Sequence, residues 1–259
     1  MRIVSICPSN TEILYYLGLG DQVVGLDDHS DWPDEWQHLP RVGPDLSIDM
    51  QKVEALQPDL VVASLSVPGM EKNVEELAAR RIPHIVLNPS RIADIPRDIL
   101  LVGEATGTIQ AAERLAQQFA ERVEIIRQTA AKQSTRPKLY WEWWPNPIYT
   151  PGRDNWLTDV SEIVGGVNVF ADFPCANVKA TPDMVRERNP DHVCVVWCGI
   201  ELRRIKPAMI TDRPGWGEMD AIRHGHVHLL EEGLYCRPSP RILNGLEHLV
   251  KLLYPDDRT

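Results

Sequence analysis

The sequence predicts an α/β protein of two lobes with central parallel sheets, joined by one long helix. Three observations lead there. Short apolar runs, such as Leu60, Val61, Val62 and Ala63, suit strands buried on both faces of a parallel sheet. They alternate with amphipathic stretches of helical period, which implies right-handed crossovers. A phrase of helix, Pro-Asp and apolar strand occurs twice, in residues 51–62 with Pro58-Asp59 and in residues 181–193 with Pro190-Asp191. A helical run over residues 94–131 separates the copies. The expected divisions are an N-terminal lobe at 1–93, a connecting helix at 94–132 and a C-terminal lobe at 133–259.

The elements follow in order. Residues 3–6 read as a first strand. The next helix is capped by Ser9 or Asn10, places Glu12 in its first turn, and ends at Gly18 and Gly20. Residues 23–26 form a second strand, which exits into Asp27, Asp28, His29, Ser30, Asp31, Trp32 and Pro33. A short helix at 49–56 is capped by Ser47 or Asp49. A strand at 60–63, a helix at 71–80 and a strand at 85–87 complete the lobe. The long helix has Asp94 as cap and Pro96 in its first turn. Gly103 and Gly107 interrupt its apolar face, and as one rigid helix at about 1.5 Å per residue it is expected to reach roughly 55 Å. The second lobe reads as a strand at 139–143, a helix at 157–164, a strand at 193–197, a last strand entered by residues 224–230, and a closing helix at 242–253 with Ser239 as cap.

Composition narrows the function classes. The 259 residues carry a net charge of −10, which argues against nucleic acid, since phosphate binding needs concentrated Lys and Arg. Cys7, Cys175, Cys194, Cys198 and Cys236 are irregularly spaced and read as structural thiols rather than as a disulfide framework or metal set. Residues 1–6 already read as a strand. A cytoplasmic location is expected if Met1 is the native start, and an extracytoplasmic or membrane-associated one if a leader was removed. A monomer is expected.

Eight tryptophans are the main aromatic resource. Trp141 and Trp156 read as core. Trp143, Trp144 and Trp197 lie at strand ends, where α/β ligands collect, so core and ligand-facing roles both stand. His224, His226 and His228 alternate, but positions i and i+4 of a strand lie about 13 Å apart, too far to share one ion. His29, on a loop, reads either as a surface histidine or as a ligand for a metal already held in a cofactor. Asp27, Asp28 and Asp31 fit a solvated turn as well as a carboxylate site. No Gly-x-Ser-x-Gly elbow, P-loop or dinucleotide fingerprint occurs, and no catalytic residues are assigned.

Several stretches in order resemble the helical-backbone class of ABC-importer substrate-binding proteins, which captures vitamin B12 and iron-siderophores. They begin with Arg2-Ile3-Val4-Ser5-Ile6-Cys7-Pro8-Ser9-Asn10-Thr11-Glu12, Leu17-Gly18-Leu19-Gly20-Asp21 and His29-Ser30-Asp31-Trp32-Pro33. Leu39-Pro40-Arg41-Val42-Gly43, Gly165-Gly166-Val167-Asn168-Val169 and Pro238-Ser239-Pro240-Arg241-Ile242 continue the match, with the cobalamin branch nearer. The resemblance implies two Rossmann-like lobes, a ligand cleft between them and no turnover. The expected ligand is a cobalamin or related corrinoid. The alternatives are an iron-siderophore or haem, with Arg153, Arg203 and Arg237 as candidate cations, and a cytosolic corrinoid-handling enzyme. The residues expected to meet the ligand are Pro8, Ser9, Asn10, Asp28, His29, Trp32, Ser64, Trp143, Trp144, Trp197, Leu234, Tyr235 and Arg237. His29 falls where cobalamin binders place a tyrosine, and Asp45, Ser64 and Asn177 fall where relatives place tryptophans. Docking to transporter membrane subunits is expected through Asp183 and through the region of Asp49, Gln51 and Glu54.

Overall fold

The computed structural model describes residues 1–255, so the last four residues of the expected C-terminal lobe lie outside the described residues. The chain forms two compact units. The first comprises Met1–Pro89, Ala93–Glu121 and Pro238–Pro240, and the second Ser90–Ile92, Arg122–Arg237 and the chain from Arg241 onward.

In the first unit the order is β1 (Ile3–Ser5), α1 (Pro8–Tyr16), β2 (Val23–Leu26), α2 (Met50–Ala55), β3 (Leu60–Ser64), α3 (Glu71–Ala79), β4 (His84–Leu87) and α4 (Ile95–Thr106). Its sheet is parallel throughout, in the order β2-β1-β3-β4. All five residues of β3 are buried, as its unbroken apolar run requires. Val4, Ile6, Val42, Val53, Val61, Ala63 and Leu77 make the core beneath it.

The capping expectations divide. Asp49 caps α2, its carboxylate accepting from the backbone N–H groups of Gln51 at 3.0 Å and Lys52 at 3.2 Å. Ser9 and Asn10 do not cap α1, because the helix starts earlier, at Pro8, with Cys7 as N-cap. Proline tolerates that first turn, where no N–H is needed. Asn10 instead donates to the carbonyl of Val62 at 3.0 Å, tying α1 to β3. Ser239 does not cap the closing helix. Its hydroxyl donates to the buried Glu12 carboxylate within the first unit, and Arg241 is the N-cap.

The helical run at 94–131 is two helices, α4 and α5 (Ile109–Ala130). Gly107 takes a left-handed φ of +73°, which closes α4 in a glycine C-cap. Gly103 then lets the next helix approach, since a Cβ there would lie 2.3 Å from the Ala112 Cβ. The 22 residues of α5 form the long helix proper, contributing to the first unit through Glu121 and to the second from Arg122.

The second unit continues with β5 (Lys138–Glu142), β6 (Trp144–Pro145), β7 (Ile148–Pro151), α6 (Trp156–Ile163), β8 (Val167–Asn168), β9 (Asn177–Ala180), α7 (Pro182–Arg188), β10 (His192–Val195), α8 (Ala208–Thr211), α9 (Asp220–Arg223), β11 (Val227–Leu229) and α10 (Ile242–Leu253). Its main sheet is parallel, in the order β11-β10-β5-β8. From β8 to β11 this repeats the first unit's order: second strand, first, third, fourth. An antiparallel sheet β6-β7-β9, absent from the sequence expectation, is inserted after β5.

The repeated Pro-Asp phrase has one structural purpose in both units. Gln57 and Asn189 turn the chain with φ of +47° and +40°. The following aspartate then clamps the start of the first strand. Asp59 accepts from the Arg2 N–H at 2.7 Å and donates its own N–H to the Arg2 carbonyl at 2.8 Å. Asp191 makes the same pair with Lys138, at 2.7 and 2.8 Å.

Candidate functional site

In the first unit the β2 exit loop is the most developed feature. Asp27 is wholly buried and accepts from the Ser30 hydroxyl and, at 2.9 Å, from the His29 N–H. Burial raises its pKa to about 6, against the lowering pull of those hydrogen bonds. Arg41 donates to the carbonyls of Asp27 at 2.7 Å and Ser30 at 2.8 Å, and Gln37 donates to Ser30 and Pro33. The Asp28 backbone N–H donates to the Gly43 carbonyl at 2.9 Å. A loop held at so many points presents its outward side chains rigidly. Asp28 and His29 are exposed, and the His29 Nε2 stands 3.8 Å from the Asp45 carboxylate.

Trp32 leans on α1, stacked on Tyr16 at 5.8 Å and edge-on to Tyr15 at 4.5 Å between centroids. Pro8, Ser9 and Asn10 are buried, and the Ser9 hydroxyl lies 3.3 Å from the Cys7 sulfur. Ser64 is buried and hydrogen-bonded to Ser66. The polar side chains of Ser9, Asn10 and Ser64 are thus spent within the unit.

In the second unit the expected ligand-facing residues separate sharply. Trp144 is 41% exposed, with its indole N–H donating to the Asn146 carbonyl. Trp143 is half-buried, edge-on to Trp156 at 5.9 Å. Leu234 is half-buried. Trp197, Tyr235 and Arg237, expected to face ligand, are buried with their polar groups engaged inside the unit. Trp197 is a core residue whose indole donates to Glu142 at 3.0 Å. Tyr235 is fully buried and donates to the Gly245 carbonyl at 2.9 Å. Arg237 is buried and paired with Glu232 at 2.9 Å. Trp141 and Trp156 are core, donating to Ser161 and to the Tyr235 carbonyl.

Glu142, at the C-terminal end of β5, escaped sequence reasoning. It is wholly buried and accepts from Tyr140 at 2.6 Å, from Trp197, and from both terminal nitrogens of Arg213 at 2.6 and 2.8 Å. Burial works against the Arg213 charge, but the Glu142 hydrogen bonds leave its pKa raised. Burial, then the Glu142 charge, hold the Tyr140 hydroxyl well above its ordinary range. A carboxylate ending an apolar strand was the available signal, without its partner 71 residues away.

The alternating histidines form a stack. His226 and His228 lie beside His192 of β10, with ring centroids 4.5 and 5.2 Å from its ring. Burial, reinforced by the neighbouring imidazoles, lowers His192 to about 3 and His228 to about 4. Among the described residues one group has metal-ligating geometry: Cys198, Glu232 and Cys236, with donor atoms within 4.8 Å of one another. Sequence reading treated the thiols as structural and passed over the Glu232-to-Cys236 spacing that could have found half of it.

The candidate siderophore cations all face carboxylates: Arg153 faces Asp154 at 3.4 Å, Arg203 faces Glu201 at 2.9 Å, and Arg237 faces Glu232. Of the docking candidates, Asp183 is exposed on the first turn of α7, with Arg186 at 3.0 Å. Asp49 is engaged as a helix cap, Glu54 bonds Arg80 at 3.1 Å, and Gln51 is exposed. No helix among the described residues is long and apolar enough to cross a membrane.

Residues 3–233 match the family described as periplasmic binding protein. The chain is 30% identical over 260 residues to an uncharacterized ABC transporter substrate-binding lipoprotein, YvrC, of Bacillus subtilis, across 98% of this chain and 80% of the relative. It is 29% identical over 251 residues to a vitamin B12-binding protein of Vibrio parahaemolyticus, across 95% and 86%. The solved apo structure of the periplasmic heme-binding protein RhuT from Roseiflexus sp. RS-1 is similar at a TM-score of 0.85 and 24% identity, over 98% of each chain, a likeness of fold.

Proposed function

The chain belongs to the periplasmic binding protein family, as a non-catalytic substrate-binding protein of the ABC importer type, and from that premise we propose that its cargo is a cobalamin or related corrinoid. The observation that carries this reading is the braced β2 exit loop, which holds the exposed imidazole of His29 on a rigid frame. An imidazole suits cobalt already enclosed in a macrocycle. The vitamin B12-binding relative at 29% identity supports the same ligand class.

In the first unit Asp28, His29 and Trp32 are proposed to meet the corrinoid; in the second, Trp143, Trp144 and Leu234 are the exposed or half-buried candidates for ligand contact. Indole faces supply apolar area, and Asp28 accepts from peripheral amides. An anionic siderophore is the weaker reading, because Arg153, Arg203 and Arg237 each already face a carboxylate. Haem is the second reading. It rests on the same imidazole, which also suits iron, and on the fold shared with a heme-binding protein. Family members deliver ligand to transporter membrane subunits, and Asp183 is the proposed contact residue here.

The test is a tryptophan-fluorescence titration with aquocobalamin, hemin and a ferric siderophore. Corrinoid is expected to quench, and His29 coordination to shift the visible spectrum of aquocobalamin. H29A is expected to abolish that shift. Quenching by hemin alone would transfer the reading to haem, and quenching by none would overturn both.

A further inference from the structure

We propose that Cys198, Glu232 and Cys236 form a binding site for a thiophilic divalent cation of the zinc type, with one coordination position left open. The inference goes beyond the corrinoid reading and does not depend on it.

Two thiols and a carboxylate are brought together by two separate pieces of backbone. Glu232 and Cys236 are four residues apart on one tight turn, closed by the Cys236 N–H donating to the Glu232 carbonyl at 2.8 Å. Cys198 arrives from the other side, just beyond β10, its N–H held by the Trp143 carbonyl at 3.1 Å. Both sulfurs aim at one acceptor, the Val196 carbonyl, at 3.4 Å from Cys236 and 3.9 Å from Cys198. The three donor atoms lie within 4.8 Å of one another. Tetrahedral zinc with Zn–S bonds of about 2.3 Å sets its thiolates about 3.8 Å apart, so the site needs only about an ångström of contraction.

Charge and access also suit a cation. Two thiolates and a carboxylate carry one negative charge beyond a divalent ion, and Arg237 beside Glu232 offsets it. That guanidinium also fixes the carboxylate's orientation, as the outer partners of metal ligands do. All three ligands are half-buried, neither sealed in the core nor fully in water. Binding releases the two thiol protons and changes no oxidation state.

The test adds Co2+ to the reduced, chelator-stripped full chain in the absence of any corrinoid. Thiolate-to-cobalt charge-transfer bands and the visible bands of tetrahedral cobalt are expected, and Zn2+ should bleach them. C198S and C236S should each weaken binding roughly 100-fold and E232Q roughly 10-fold, with C175S unchanged. Should a cysteine variant misfold, the wild type still decides the matter. Zn2+ should shield Cys198 and Cys236 from iodoacetamide while Cys175 remains reactive, read by peptide mass spectrometry. The proposal is overturned by absent charge-transfer bands, by bands surviving in the C198S/C236S double variant, or by equal alkylation with and without zinc.

Discussion

The two units are built on the same plan and stabilise their buried charge in opposite ways. Each has a parallel four-stranded sheet in equivalent order, and each clamps its first strand with the aspartate of a Pro-Asp phrase. At the strand exits they part. The first unit buries Asp27 against neutral donors, the Ser30 hydroxyl and the His29 N–H. The second buries Glu142 against the full charge of Arg213. Desolvation therefore moves the Asp27 titration toward neutrality, whereas an ion pair fixes the charges of the second unit. The loop with the weaker compensation is the one that carries the proposed ligand contact, His29.

The largest expected effect breaks the second unit's arrangement. Arg213→Ala leaves Glu142 buried and without its cation, and removes the guanidinium stacked 4.6 Å over Trp216. A loss of about 3–5 kcal/mol is expected in urea unfolding. A loss below about 1 kcal/mol would mean that Tyr140 and Trp197 suffice for the carboxylate.

Asp27 gives the next effect. Its pKa in the folded chain lies above the ordinary 3.8, so the folded state holds the proton to higher pH. Its contribution is fully present below about 4 and is lost as pH rises through about 6, on the order of 3 kcal/mol in all. Asp98, also raised to about 6 by burial, acts in the same direction. Asp27→Asn should therefore remove about half of the first unit's slope, measured as unfolding midpoints at several pH values.

The histidine stack runs the other way. His192 has a folded pKa of about 3, below its ordinary 6.5, so the unfolded state takes up protons first. Stability of the second unit is lost as pH falls below 6.5, on the order of 2 kcal/mol from His192 by pH 5. At pH 5, hydrogen exchange should open β10 and β11 before β1 and β3. His192→Phe should reduce that difference, and an unchanged order would assign the acid response elsewhere.

The smallest effect sharpens the shared clamp. Asp191 is half-buried and Asp59 exposed, yet each accepts from a backbone N–H at 2.7 Å. Asp191→Ala should cost about 1–2 kcal/mol and Asp59→Ala about half that, compared by thermal melts. Equal losses would show that solvent does not discriminate between them.

The sequence made the sheet plan legible because strand burial, helix period and Pro-Asp punctuation are local properties. The pattern over residues 60–63 met β3, and the closing helix at 242–253 met α10 at both ends. In the loop between Leu26 and Pro33 the polar run was legible as a strand exit, but the burial of Asp27 and Ser30 beside exposed Asp28 and His29 was not. The candidate site was not legible at Trp197, Tyr235 and Arg237. Their type suited ligand contact, but their hydrogen bonds go to Glu142, Gly245 and Glu232 inside the fold.

What the sequence alone determined was the repeated strand–helix alternation, the helical run over residues 94–131 and the breaks at each Pro-Asp. Backbone propensity and hydrophobic period act over a few residues, and they suffice for these. Tertiary structure decided which polar side chains would be consumed in holding the fold. Ser239 answers Glu12 from 227 residues away, and Arg213 answers Glu142 from 71. A buried charge must find its partner wherever the fold brings one within reach, and no local pattern records that distance.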